Sequence, residues 1–389
     1  MSSEPGIVIV GGGPAGLSAA RAYRAAGGEL DVTLVAAENR LPYERPALTK
    51  ELLRGQASAD DLALEDEPWF ARNRVAVLRG ARAVALDAER RAITVEEHEE
   101  LPYSACVVAT GSEPARLPVP GGDDPRLHTM RTVEDSLALA GEGNGEAVVV
   151  GSGFIGCEAA ASLATRGARV TLVTDEPAPQ AARLGPEVAA RLAGWLEEAG
   201  VALATGQGVE RFERRGEEWT VHTATATVHA PAVLCAVGVT PRVSLAEDAG
   251  LALAGGAVVA DASMRSSAPG VLVAGDVAFA DNAGAGRPLR VEHWGEALRH
   301  GEVAGTVAAG REDAWRQAPG FWSQIGERWL KYVAWGDGHE SVAFEDHGDG
   351  AFTAWYLDGK GVLVGVLTHE RDDDYARGRE LVEGAALPR

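Results

Sequence analysis

Two short glycine-rich runs carry the most specific chemistry in the sequence. Gly11-Gly12-Gly13-Pro14-Ala15-Gly16 follows the apolar run Ile7 to Val10 and leads into the alanine-rich stretch Leu17 to Ala26. Gly151-Ser152-Gly153-Phe154-Ile155-Gly156 follows Ala147 to Val150 and leads into Cys157 to Arg166. Strand, turn and helix in that order make a cradle for a nucleotide pyrophosphate. The first glycine lets the chain turn, the second lets backbone approach the anion, and the third lets helix and strand pack closely, while free amides at the helix start face the negative charge. Asp31 to Val35 and Ala168 to Val173 read as the returning strands, and Glu38, just past the first of them, is placed to accept bonds from ribose hydroxyls. Two cradles imply two dinucleotides: Gly11, Gly13, Ala15 and Gly16 serve one, Gly151, Gly153, Ile155 and Gly156 the other. The economical pair is FAD with NAD(P)H, which makes the chain a flavoprotein that takes hydride from a nicotinamide.

The remaining elements must bring the cradles together. Between Leu41 and Lys50 two prolines stiffen a loop that presents Arg45 and Lys50 at fixed positions, toward a pyrophosphate or a flavin ring. Pro68 to Asn73 reads as helix, and Val75 to Leu78, Ala83 to Leu86 and Ala92 to Val95 as an antiparallel meander inserted in the first nucleotide unit. The strand Cys106 to Ala109 closes on Thr110-Gly111, and the proline-rich run 113–125 reads as a hinge. Leu234 to Val239 returns the chain to the first unit. There, Asp276 ends the strand Gly270 to Ala274 where it can accept bonds from a ribitol chain. A helix from about Gly295 to Ala309 offers its amide-rich start to the charge of a reduced flavin, with Trp294 able to wall the ring. From Phe321 a third unit begins. Ala351 to Leu357 and Gly361 to His369 alternate as strands around the hairpin signal Asp358-Gly359, Asp372 to Glu383 reads as helix, and Trp322, Trp329, Trp335 and Trp355 read as core. The expected architecture is α/β, with an FAD unit at 1–116 plus 241–320, an NAD unit at 117–240 and a C-terminal α+β unit at 321–389.

Fifty-seven acidic against 36 basic residues give a formal charge of −21, which argues against nucleic acid or an anionic membrane as partner. No run approaches the twenty or so apolar residues of a membrane span, and the first six residues lack the features of a secretory signal, so the expected location is the cytoplasm. Cys106, Cys157 and Cys235 are scattered, with no close pair for disulfide chemistry. No metal site is expected. The sequence leaves monomer and homodimer both open.

The loop residues Pro42-Tyr43-Glu44-Arg45-Pro46-x-Leu48-x-Lys50 resemble the signature of the NADH-dependent ferredoxin reductases that serve oxygenase and cytochrome P450 systems, a family more distantly related to apoptosis-inducing factor. The resemblance runs on through Ala109-Thr110-Gly111, the second glycine turn with Glu158, Val237-Gly238-Val239-x-Pro241, Ala274-Gly275-Asp276-Val277 and Glu292-His293-Trp294. It spans the chain in order and implies a glutathione reductase-like fold of two doubly wound dinucleotide domains plus a small α+β domain.

It further implies that Arg45, Thr110, Gly111, Asp276, Glu292, His293 and Trp294 adjoin FAD, and that Gly238 adjoins NAD. Lys50 and Glu158 would pair near the flavin N5, where hydride arrives; helix-start electrostatics alone would also explain Glu158. The implied acceptor is a [2Fe–2S] ferredoxin, with Arg287, Arg290, Arg299, Arg328 and Lys331 as candidates for a basic docking patch.

Two positions depart from the family pattern. Thr174 stands where NADH users carry an acid, leaving Asp175 and Glu176 to face the adenosine ribose. Two carboxylates still oppose a 2′-phosphate, by about 1 kcal/mol per pair at 4 Å in water, so NADH is expected over NADPH. Gln324-Ile325 stands where Asp-Gln follows Phe-Trp-Ser, at a segment that approaches the flavin edge in the family. A disulfide reductase or NADH oxidase on the same fold would need a redox cysteine where the loop carries Lys50. An NADH-responsive flavoprotein like apoptosis-inducing factor is the other alternative.

Overall fold

A computed structural model describes residues 5–336 and 338–384. The first sheet has a parallel core in the order Val75–Arg79, Val32–Ala36, Gly6–Val10, Leu101–Val108, Val271–Val273. Its central strands are buried on both faces: Ile7, Val8, Ile9, Val10, Cys106, Val107 and Val108 share a core with helix residues Leu17 and Ala304 and with Val258, Ala260, Ala278 and Ala280 of a separate four-stranded sheet. Val75–Arg79 therefore differs from its expected place in a meander. It pairs parallel with Val32–Ala36, and only Ala83–Asp87 and Ala92–Val95 extend the sheet antiparallel, from the start of the long strand Leu101–Val108.

The second sheet is a parallel set in the order Val201–Ala204, Arg169–Val173, Glu146–Val150, Ala232–Cys235. A three-stranded antiparallel sheet, Val209–Arg215, Glu218–Thr223 and Thr227–Ala230, packs on it through Phe212, Trp219 and Val221. The two chain crossings between the parallel sheets, Ser112–Pro114 and Val239–Pro241, pair antiparallel with each other. That ribbon occupies part of the proline-rich hinge.

Helix Trp294–Ala308 lies against helix Pro14–Ala25 at very short range. A Cβ on Gly301 would come within 2.2 Å of the Ala15 carbonyl oxygen, and one on Gly305 within 2.1 Å of that of Ala19. The Ser18 hydroxyl donates to the Leu298 carbonyl at 2.7 Å across this contact. The C-terminal unit is a five-stranded antiparallel sheet in the order Gly320–Ile325, Arg328–Ala334, Leu363–His369, Ala351–Leu357, Ser341–Gly348, with helix Asp372–Gly384 following its central strand. Of its tryptophans Trp335 is buried, but Trp322 and Trp329 meet on the surface as tilted rings with centres 5.1 Å apart, 39% and 43% exposed. The expectation that all four are core fails because strand alternation turns these two outward, away from buried Ser323 and Leu330.

The loop after Glu38 is not a surface excursion. Tyr43, Ala47, Leu48, Leu52 and Leu53 are buried in a core shared with Leu163 of the second nucleotide unit and Leu330 of the C-terminal sheet. Each such leucine contributes roughly 1.5–3 kcal/mol by leaving water. The segment carrying Arg45 and Lys50 is thus fixed from three sides.

Candidate active site

Both glycine turns open on one cleft of about 1540 Å³, larger than the roughly 300–1,000 Å³ of a pocket for one drug-sized ligand. The three glycines of each turn have distinct surroundings. Gly11 and Gly151 have φ of +128° and +102°, and a Cβ there would lie 2.1 Å and 2.3 Å from the carbonyl oxygens of Ala109 and Ala236. A Cβ on Gly16 or Gly156 would fall 2.0 Å from the carbonyl of Gly11 or Gly151. Gly13 and Gly153, by contrast, have nothing within 4 Å of such a Cβ, and each caps its helix with no side-chain bond to the helix amides. The space in front of those amides suits a pyrophosphate, and a methyl group there would fill it. Ala15 is buried beside Gly275, whereas Ile155 is 40% exposed on the cleft wall, which Gly238, with its φ of +109°, also lines.

On the first turn's side the stiff loop folds back on the acid after the returning strand. Glu38 receives the Arg45 guanidinium at 2.6 Å on one oxygen and the Tyr43 hydroxyl at 2.6 Å on the other. Arg45 also donates to the Arg131 carbonyl, and its Nε lacks a partner. Arg131 reaches Asp276 at 3.5 Å, and Asp276 accepts the Ser112 hydroxyl at 2.6 Å. Burial, then Arg45, pushes the Arg131 guanidinium pKa down. Sequence reasoning missed Arg131 and Ser112; only their places beside a helix cap and the Thr110-Gly111 turn could have flagged them. Thr110 donates to the Arg242 carbonyl at 2.8 Å, and Gly111 takes φ +67°.

Between the turns sits the buried pair expected from the resemblance. Lys50 Nζ lies 2.6 Å from Glu158 Oε2, with side chains 4% and 7% exposed. Glu158 also accepts the Thr49 hydroxyl at 2.6 Å, the Ser323 hydroxyl at 2.6 Å and the Gln324 amide at 3.2 Å. One carboxylate therefore ties the stiff loop, the second nucleotide helix and the first C-terminal strand together. The Trp322 ring stands 5.1 Å from Lys50 Nζ. Gln324 meets Glu158 through its backbone, so the departure from the family residue leaves this link intact.

The far end of the second unit is arranged differently. Thr174 turns inward to bond Ser152 at 2.8 Å, and exposed Asp175 follows it outside the cleft lining. Glu292 pairs with Arg290 at 2.6 Å on the cleft wall, next to His293 and Trp294, which begin helix Trp294–Ala308. Burial, then Arg183, lowers the His293 pKa to about 3. All three cysteines are free and buried; burial raises the Cys106 thiol to about 12, the Cys235 thiol to about 11 and the Cys157 thiol as well. Thiols so protonated are poor nucleophiles.

Two pyrophosphate cradles facing one cleft, with a buried Lys–Glu pair between them, define a flavoprotein oxidoreductase that uses a pyridine nucleotide. The chain belongs to the pyridine nucleotide-disulphide oxidoreductase family, whose model matches residues 5–301. It is 32% identical over 394 residues to the ferredoxin--NAD(+) reductase component of the anthranilate 1,2-dioxygenase system of Burkholderia cepacia, covering 100% of this chain and 96% of that protein. It is 29% identical over 392 residues to a putidaredoxin reductase of Pseudomonas putida, covering 98% and 92%. The covalent putidaredoxin reductase–putidaredoxin complex matches with a TM-score of 0.91 at 27% identity, covering 98% of this chain and 94% of that one.

Proposed function

We propose that the protein is an FAD-dependent NADH:ferredoxin oxidoreductase that passes electrons from NADH to a [2Fe–2S] ferredoxin of a P450 or oxygenase system. The observation that carries this reading is the buried Lys50–Glu158 pair at 2.6 Å in the cleft between the two glycine turns. Bound FAD supplies the conversion between the two-electron hydride of a nicotinamide and the single electrons an iron–sulfur cluster accepts. The chain's own part is to hold and orient. Gly11, Gly13 and Gly16 with Arg45, Arg131 and Asp276 would hold FAD; Gly151, Gly153 and Gly156 would hold NADH. Lys50 and Glu158, desolvated and locked by Thr49 and Ser323, would fix the reacting edge of the cleft.

The inference of FAD and NAD units at 1–116 plus 241–320 and 117–240, and of a C-terminal unit from 321, is supported by the two parallel sheets, the ribbon 112–114/239–241 between them and the separate five-stranded sheet that begins at Gly320. Three free cysteines fit a reducing compartment, which supports the cytoplasm as the place of work. No helix among the described residues is long and apolar enough to cross a membrane. The disulfide-reducing alternative has no support in three buried, separate thiols.

The test is ferredoxin-dependent cytochrome c reduction with NADH. Turnover that requires an added [2Fe–2S] ferredoxin supports the assignment. Reduction of ferricyanide with no transfer to any [2Fe–2S] ferredoxin would remove it.

A further inference from the structure

Most cations on the cleft wall are already neutralised. Arg45 faces Glu38, Lys50 faces Glu158, Arg131 faces Asp276, and Arg290 faces Glu292. Arg183 is exposed on the same wall and, like Arg82, has no carboxylate partner among the described residues, in a chain with 57 acids and 36 bases. Its guanidinium is nonetheless held in place. It lies 5.7 Å from the ring centre of Phe154 and 5.4 Å from that of Phe321, and its Nη2 is 3.4 Å from His293 Nε2. The His293 imidazole, kept neutral by burial and by Arg183, accepts without adding charge.

The backbone turns sharply on both sides of this residue. Arg183 lies in the single helical turn Ala181–Leu184, bounded by Gln180 at φ +62° and Gly185 at φ +82°. Its aromatic support comes from three parts of the fold. Phe154 opens the helix of the second glycine turn, Phe321 belongs to the C-terminal sheet, and His293 precedes helix Trp294–Ala308 of the first unit. Phe154 directly follows Gly153, whose front is empty, and Glu158 follows one turn later on the same helix. A guanidinium carried there, with its donors uncommitted to acids, suits bidentate capture of a phosphate. Its aromatic and histidine contacts keep it among Phe154, Phe321 and His293, whereas Thr174 and Asp175 lie outside the cleft lining at the adenosine-ribose end.

We infer that Arg183 is a nucleotide-binding residue that grips the pyrophosphate of NAD(H) on its nicotinamide side, opposite the amides of Gly153 and Phe154. This rests on the NADH reading above. Direct binding to the FAD-loaded protein tests it, by calorimetric titration with NAD⁺, ADP-ribose and AMP of wild type, Arg183→Ala and Arg183→Lys, with melting temperatures measured alongside. The expected result is about tenfold weaker binding of NAD⁺ and of ADP-ribose to Arg183→Ala, unchanged AMP affinity and melting temperature, and partial recovery in Arg183→Lys. Unchanged NAD⁺ affinity in Arg183→Ala would overturn the assignment, as would an equal loss for AMP. A lowered melting temperature with all three ligands weakened would also overturn it, making Arg183 a structural latch. Wild type that binds none of the three would instead bring down the NADH reading itself.

Discussion

At the scale of single residues, glycines with the same look in the sequence do different work. Gly11→Ala would drive a Cβ to 2.1 Å from the Ala109 carbonyl at φ +128°, so we predict poor folding and low yield. Gly13→Ala has room for its Cβ in the empty front of the helix. It is expected to melt with the wild type as apoprotein yet lose FAD on gel filtration, and a normal flavin content would remove Gly13 from the cradle. The Lys50–Glu158 pair offers a second test. Either Lys50→Met or Glu158→Gln alone leaves a buried charge or its hydrogen-bonding partners uncompensated, at about 3–5 kcal/mol for the lost ion. Chemical denaturation of both single variants and the double variant should show the double losing less than the sum of the singles. The glycine spacing announced the cradles, and the family resemblance singled out Lys50 in the loop motif and Glu158 after the second glycine turn. Thr49 and Ser323, which fix Glu158, carried no signal, because a hydroxyl's partner 109 or 165 residues away is set by tertiary packing.

At the scale of elements, the two parallel units and the last hairpin were legible because apolar runs and Asp358-Gly359 mark them locally. Val75–Arg79 departs from the expected meander, since a short strand does not encode whether its neighbour runs parallel or antiparallel. Trp322 and Trp329 depart from the expected core because bulk favours burial while strand alternation decides exposure. Helix Trp294–Ala308 shows what periodicity conceals: Gly301 and Gly305 allow contact with Ala15 and Ala19, and buried His300 stacks edge-on against Trp315 at 4.4 Å. Burial lowers the His300 pKa from 6.5 to about 4. Between those values the unfolded chain holds a proton that the folded one does not, so stability is lost as pH falls from about 6.5 to 4, by roughly 3 kcal/mol at most. Nearby Glu296, raised chiefly by burial, works the other way, because its folded carboxyl keeps its proton above 4.5. Urea midpoints of wild type should fall across that window, and those of His300→Leu should fall less; parallel curves would remove His300 from the acid response.

At the scale of the whole molecule, the cations expected to greet an acidic ferredoxin are largely spoken for. Arg290 pairs with Glu292, Arg299 with Glu302 at 3.4 Å, Arg328 with Glu198 at 2.5 Å and Lys331 with Asp372 at 2.6 Å. Such exposed pairs add little stability, about 0–1 kcal/mol each, yet they cancel much of the field that would steer a partner. Removing the acids in Glu198→Gln and Asp372→Asn should therefore raise the ferredoxin association rate several-fold at low salt, an effect that fades in 0.5 M salt by screening. Stopped-flow rates that ignore both changes would place the docking face elsewhere. The central claim, two nucleotide cradles sharing one cleft, is tested most directly by anaerobic visible-absorption titration of the purified protein with NADH and, separately, NADPH. The account predicts a flavin spectrum bleached stoichiometrically by NADH, with NADPH far less effective. A protein that stays colourless after incubation with FAD, or a flavin that neither nucleotide bleaches, would contradict it.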